Sequence, residues 1–205
     1  MGTGDGGKDD KGRLRHGGSW RNEHEWPLAR TEYTDFYLQA DGGLSQAKPS
    51  QNERSTTQFQ FDPHDPVPTI GGNISSGDNI LLQGAWNQKG GPHVWNFQQP
   101  VPISARNDVL VFQSEPLAED LEVTGEIEVR LFALSSAVDT DFTAKLIDVY
   151  PPSNDWPGGF DLNIGDGIVR GRFRESVKKE VLMTPGEAYE FTIKLYPTSN
   201  VFKKG

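Results

Sequence analysis

Cysteine is absent from all 205 residues, which excludes disulfides, thiol nucleophiles and Cys-bound zinc. A basic face is missing as well. The net charge is −9 with a pI near 4.9, and Lys and Arg form no cluster, so nucleic acid is not an expected partner. No apolar run approaches the length needed to cross a bilayer, and residues 1–18 lack the apolar core of a signal peptide. No membrane partner is expected. Sustained apolar spacing of helical period occurs nowhere, and apolar residues reach only 34%. What the chain has in quantity is Gly and Pro, 37 residues between them. That composition suits many short strands joined by long loops, in a chain long enough to bury one core.

The clearest pattern lies at the end of the first two thirds of the chain. Leu121, Val123, Ile127, Val129, Leu131 and Ala133 alternate with Glu122, Thr124, Glu126, Glu128 and Arg130. Successive side chains of a strand point to opposite faces, so this reads as a long strand with one wet and one dry face. Residues 142–150 and 168–174 read as two more strands. Ser135, Ser136 and Asp139 mark the first break, and Pro151, Pro152, Asn154, Pro157, Gly158 and Gly159 the second. Asp166-Gly167 carries the signal of a two-residue hairpin turn.

Elsewhere residues 1–18 read as an exposed loop, and residues 34–39 as a short strand turned by Asp41-Gly42-Gly43. Residues 56–61 alternate Thr57, Phe59 and Phe61 and read as a strand. Val109 to Phe112 is continuously apolar and reads as a strand buried on both faces. Residues 188–196 place Tyr189, Phe191, Ile193 and Leu195 on one face, after which Val201-Phe202 looks like the start of another strand. The expected class is all-β, an antiparallel sandwich of seven or eight strands. Between residues 62 and 108 regular structure stops, in a stretch rich in Pro and Gly. So long an irregular segment inside a compact domain is functional or is covered by something else. Trp20 and Trp26 also imply a covering surface, because exposed loops seldom keep two Trp within seven positions.

Catalytic signals are weak. A serine hydrolase needs a Ser on a sharp turn, a His base and a carboxylate, and the elbow pattern Gly-x-Ser-x-Gly is absent. Ser75 and Ser76 lie near glycines, but Asn73 and Ile74 stand where the first Gly would fall. His16, His24, His64 and His93 occupy loop-like segments without metal-motif spacing. Asp139, Asp141 and Asp148 lack the dense spacing of a calcium loop and read better as turn caps. Arg170, Arg172 and Arg174 alternate along one expected strand face. In so acidic a chain, pairing with carboxylates is favoured over an anion site. Trp86, Trp95, Phe97 and Trp156 could stack on sugar rings or simply pack loops. Nothing calls for a cofactor or a metal.

Four segments nevertheless carry a family resemblance. They are WRNEHEWPLARTEYTDFYL (residues 20–38), FDPHDPVPTIGGN (61–73), SSAVDTDFTAKLIDVYPP (135–152) and NIGDGIVRGRFRES (163–176), with TSNVF (198–202). Together they resemble the C-terminal region of the cocaine esterase / X-prolyl dipeptidyl-peptidase family of serine hydrolases. The chain is most similar to the branch of glutaryl-cephalosporin acylases and α-amino acid ester hydrolases. The resemblance implies a jelly-roll sandwich of the galactose-binding-like type over residues 34–205, lacking its last strands. Residues 1–33 would lead in from an α/β-hydrolase catalytic domain that holds the Ser, His and Asp triad. The chain alone would then be inactive, and an open sandwich of this kind would aggregate readily. Val67, Pro68, Thr69, Ile70, Gly71, Gly72, Asn73 and Ile74 would shape the acyl pocket for a small ester or amide substrate. Trp20, Arg21, Trp26 and Pro27 would pack against the catalytic domain, in a parent protein that forms a homodimer. The rival expectation is a free-standing carbohydrate-binding module that uses Trp86, Trp95 or Trp156 as platforms.

Overall fold

The computed structural model describes residues 6–50, 56–70, 86–89 and 102–205. These residues form an all-β sandwich built on two long antiparallel ribbons. A small ribbon comes first, β1 (Tyr37–Leu38) against β2 (Leu44–Ser45) around the Asp41-Gly42-Gly43 turn. The Asp41 carboxylate accepts the Gly43 N–H at 2.8 Å, and Gly42 takes a φ of +85° that favours glycine. The main ribbons are β3 (Leu121–Ala133) with β6 (Tyr189–Phe202), and β4 (Asp141–Tyr150) with β5 (Phe160–Arg170).

Alternation locates β3 and β6 well. Leu131 faces Phe191 and Val129 faces Ile193, while Glu128 faces Lys194 on the other side. Phe191, Ile193 and Leu195 are buried as expected. β6 is longer than expected: it continues through Pro197, and Val201-Phe202 belongs to it instead of starting another strand. The reason is a register shift between Gly125 and Ile127, opposite Tyr196 and Pro197. Proline has no N–H to give a ladder, and a bulge needs none at that point.

β5 departs further from expectation. It runs over Phe160–Arg170, and Asp166-Gly167 lies inside it instead of forming a hairpin turn. The hairpin is made by residues 151–159, where Ser153 and Gly159 both donate to the Trp156 carbonyl, at 2.9 and 2.8 Å. Asp166 pairs across the ribbon with Lys145 at 3.0 Å, and Gly167 lies against the Lys194 carbonyl of β6. Glycine is here for closeness of approach, which local turn statistics cannot register. The β4–β5 ribbon packs across β6, and Phe142 stacks on Phe191 with centroids 4.5 Å apart.

Four other segments depart from expectation. Residues 7–15 are not simply exposed loop: Lys8 bridges Leu14, and Leu14 is buried with Phe160 and Leu162. Residues 56–61 and 109–112 form no strand, and Phe59, Phe61, Leu110 and Val111 stay exposed. An apolar run reports a need for cover, and the described residues do not supply it. The expected strand over 34–39 shortens to Tyr37–Leu38. Among the described residues six strands are present, fewer than the seven or eight expected.

Asp148 is a polar intrusion between the ribbons. Burial pushes its carboxyl upward, and the Asn200 amide of β6, 3.4 Å away, opposes that shift. A carboxyl raised in the fold favours folding when protonated, and that support is lost as pH rises through its folded value. Asp148→Asn is therefore expected to stabilise the chain at pH 7 by about 1 kcal/mol, or roughly 2–4 °C in melting temperature. The gap to the parent should narrow in melts at lower pH. A gap that widened on acidification would contradict this account.

Candidate functional site

Residues 20–31 cross the first turn of β3. The Arg21 guanidinium donates two bonds to Glu122, at 2.7 and 3.1 Å, and also meets Glu23. Arg30 binds the same Glu23 carboxylate, with its Nη1 at 2.8 Å. Two guanidinium groups thus bracket one carboxylate, and Arg21 bridges it to the sandwich. The Arg21 bond, aided by the Thr124 hydroxyl, holds the Glu122 carboxyl down at about 2. Arg30, then Arg21, does the same for Glu23, also to about 2. Leu28 is buried, and the Thr31 hydroxyl donates to the Thr124 carbonyl at 3.2 Å beside the bulge at Gly125. The segment is therefore tied down at both ends.

On this segment Trp20, Trp26 and Pro27, among the expected docking residues, are exposed. The Trp20 side chain is fully exposed at 101%, Trp26 is exposed at 53%, and Pro27 is exposed next to a cis Trp26–Pro27 peptide bond. Arg21 is exposed but engaged with Glu122, so it serves first to hold this segment on β3. Tyr33, Phe36, Leu38, Phe59, Phe61, Leu110 and Val111 extend the exposed apolar surface. Phe36, Leu38, Phe59, Phe61, Leu110 and Val111 fall in segments whose pattern predicts strands, which conceals them as surface.

The expected pocket loop divides in two. Gly71, Gly72, Asn73 and Ile74 lie outside the described residues, as do Ser75, Ser76, His93, Trp95 and Phe97. Val67 and Pro68 are half-buried and Thr69 is exposed. Ile70 is buried, at 2% exposure, and anchors the loop within this domain. The Ile70 carbonyl accepts from Gln88 Nε2 at 2.9 Å, and Gln88 is itself buried. Arg106 holds the other end of the loop, donating to the Asp65 carbonyl at 2.7 Å. Neither Gln88 nor Arg106 stood out in the sequence, because each acts on a residue 18 to 41 positions away.

No catalytic arrangement emerges from the remaining candidates. His64 sits 3.2 Å from Asp62 but is 94% exposed, in a turn where Asp62 caps the His64 N–H. Among the described residues no three His, Cys, Asp or Glu gather where they could hold a metal ion. Asp139 accepts the Arg172 N–H at 2.9 Å, which bears out its capping role, whereas Asp141 and Asp148 lie in β4, Asp141 supplying the carboxylate expected to pair with Arg170, at 2.8 Å. Arg170, Arg172 and Arg174 do not share a strand face, because a 3₁₀ turn over Gly171–Phe173 follows β5. Arg172 pairs with Asp139, and Arg174 is packed inward over the Tyr189 ring while donating to the carbonyls of Gly171 and Val181. Trp156 packs edge-on against Phe160 with the Lys8 ammonium 4.5 Å from its ring centre, which leaves it a loop-packing aromatic. Trp86 is half-buried, and its carbonyl faces the Asn163 N–H of β5.

Comparison with known proteins places this geometry. The profile of the X-Pro dipeptidyl-peptidase C-terminal non-catalytic domain matches residues 3–205. Cocaine esterase of Rhodococcus sp. (strain MB1 Bresler) is 40% identical over 195 residues, which is 91% of this chain and 30% of that protein. The chain thus spans 30% of the length of its curated relative. Among solved structures, an aminopeptidase from a marine sediment Thaumarchaeota archaeon superposes with a TM-score of 0.71 at 28% identity, over 91% of this chain and 30% of that one. An α-amino acid ester hydrolase superposes with a TM-score of 0.67 at 31% identity, over 83% and 26%. A CocE/NonD family hydrolase from Staphylococcus aureus, 17% identical with a TM-score of 0.51 over 88% and 28%, shares the fold.

Proposed function

The chain belongs to the X-Pro dipeptidyl-peptidase C-terminal non-catalytic domain family, and from that premise we propose that it completes a serine hydrolase acting on acyl esters or amides. The nucleophilic Ser, its His base and the oxyanion hole would sit in an α/β-hydrolase domain of the same polypeptide. This sandwich would dock on that domain through Trp20 and Trp26. Its loop at residues 67–74 would reach the mouth of the acyl pocket.

One observation carries the reading. Trp20 has its whole side chain in solvent, on a segment fixed to β3 by the Arg21–Glu122 bond. Ordering a segment costs conformational entropy, and a fixed segment that presents bare indole is preorganised for a partner surface. Buried interface aromatics rank among the residues that contribute most to association.

The test is Trp20→Ala with Trp26→Ala in the whole parent polypeptide. Docking by these residues predicts a melting temperature lowered by several degrees, from a loss of roughly 2–4 kcal/mol of contact. Acyl ester hydrolysis should fall with it, most for bulky acyl groups. The same pair of changes in the separate chain should leave its far-ultraviolet circular dichroism as it was, since Trp20 packs on nothing there. Parent melting and hydrolysis unchanged by both substitutions would refute the docking role.

A further inference from the structure

The geometry points to residues 65–70 as a preset wall latched at both ends, with Arg106 as its positioning residue; this rests on the pocket-loop reading above. At the first latch, Arg106 Nη2 donates to the Asp65 carbonyl at 2.7 Å, and Nη1 reaches the Asp65 carboxylate at 3.3 Å. The fork is aimed by Asp108, which accepts from Nε at 2.7 Å and from Nη2 at 2.8 Å. Arg106 and Asp108 are largely buried, at 20% and 9% side-chain exposure, whereas the Asp65 carboxylate is 77% exposed. Screening by water leaves the carboxylate contact little weight, so the carbonyl bond is the working part of this latch.

At the second latch, Gln88 Nε2 donates to the Ile70 carbonyl at 2.9 Å. Gln88 is itself fixed, its N–H on the Asp161 carbonyl of β5 at 2.9 Å and its carbonyl on the Ile103 N–H at 3.0 Å. The buried Ile70 side chain adds a hydrophobic anchor. Between the latches the chain reads Asp-Pro-Val-Pro-Thr-Ile, and Pro66 and Pro68 hold φ near −65° without help. Two pinned ends and two fixed dihedrals in six residues make a wall, not a lid that closes on substrate. Val67, Pro68 and Thr69, the only described members of the expected pocket set with surface left to offer, are placed by Arg106 without Arg106 touching an acyl group.

Two readouts separate the latch from its functional use. Arg106→Gln in the whole parent polypeptide should speed by about tenfold the hydrogen exchange of the Asp65 amide, which donates to the Asp62 carbonyl, and of the Val67, Thr69 and Ile70 amides, as a local opening of lower free energy. It should also shift by about tenfold the ratio of kcat/KM for p-nitrophenyl esters of a bulky acyl group to that for the acetyl ester, because the wall discriminates by size. A merely structural loss lowers both rates together and leaves that ratio where it was. Asp108→Asn, which keeps the side chain's shape and loosens only the aim of the fork, should move both readouts in the same direction by less, and serves where Arg106→Gln does not fold. Asp65→Asn, which spares the carbonyl bond, should move neither. Exchange that stays at the parent rate in both Arg106→Gln and Asp108→Asn overturns the latch. Faster exchange with an unmoved acyl ratio keeps the latch and overturns the pocket role of the loop.

Discussion

Gly167→Ala is expected to leave no cooperatively folded sandwich. A Cβ at Gly167 would stand 2.2 Å from the Lys194 carbonyl oxygen, 2.9 Å from its carbon and 3.2 Å from Leu195 Cδ2. The first two contacts are with backbone, which cannot rotate away as a side-chain tip can. Lys194 is paired with Glu128 in the β3–β6 ladder, and Gly167 with Ala144 in the β4–β5 ladder, so retreat on either side breaks a register. Ordinary overpacking costs about 1–3 kcal/mol where side chains can give way. Here two ribbons must separate, which forfeits burial across β6, against a total stability of only about 5–15 kcal/mol. Gly165→Ala is the control, because its Cβ would meet only the Tyr196 carbonyl, at an ordinary 3.5 Å. Soluble yield and a thermal melt of each variant decide the matter. A Gly167→Ala melt within a few degrees of the parent would show that the ribbons are not locked at this crossing.

The same glycine explains why most of β5 was illegible in the sequence. Phe160–Arg170 includes Asp161, Asn163, Gly165, Asp166 and Gly167, a composition that local statistics assign to turns. Three of them answer to demands from outside the strand instead: the Asp161 carboxylate meets Lys89, Asp166 meets Lys145, and Gly167 admits β6. β3 and β6 were legible because one ribbon face meets water and the other the core, which writes the pleat directly into the residue order. The continuation of β6 through Pro197 was illegible because the bulge there is a property of the pair and of neither strand alone.

The candidate site divides along the same line. Trp20 and Trp26 could be read as docking residues because exposed indole is rare enough to need a reason. Phe59, Phe61, Leu110 and Val111 carry that message too, but short apolar runs are also how buried strands look. The Arg106 and Gln88 latches had no sequence signal at all. An arginine two residues before an aspartate is commonplace; what matters is the Asp65 carbonyl, which only the fold brings near.

Phe191→Ala is expected to cost about 3–5 kcal/mol, enough to remove most of the stability of a domain of this size. Phe191 has no exposed surface, lies opposite Leu131 on β3, and packs a tilted ring at 4.5 Å on Phe142 of β4. It therefore joins both ribbons, and truncation leaves a cavity that neither can fill without moving its ladder. Phe132 is the matched comparison on β3, opposite Glu190 on the outer face and 74% exposed. Phe132→Ala should change stability by no more than about 0.5 kcal/mol. Urea unfolding of the two variants against the parent measures both numbers, and equal midpoints would mean that the inward face of β6 is not the core. The two residues are both phenylalanine and sit one rung apart in the same ribbon, so hydrophobicity and strand propensity cancel between them. Only the face differs, and burial on that face is what makes the alternation of β6 hold the sandwich together.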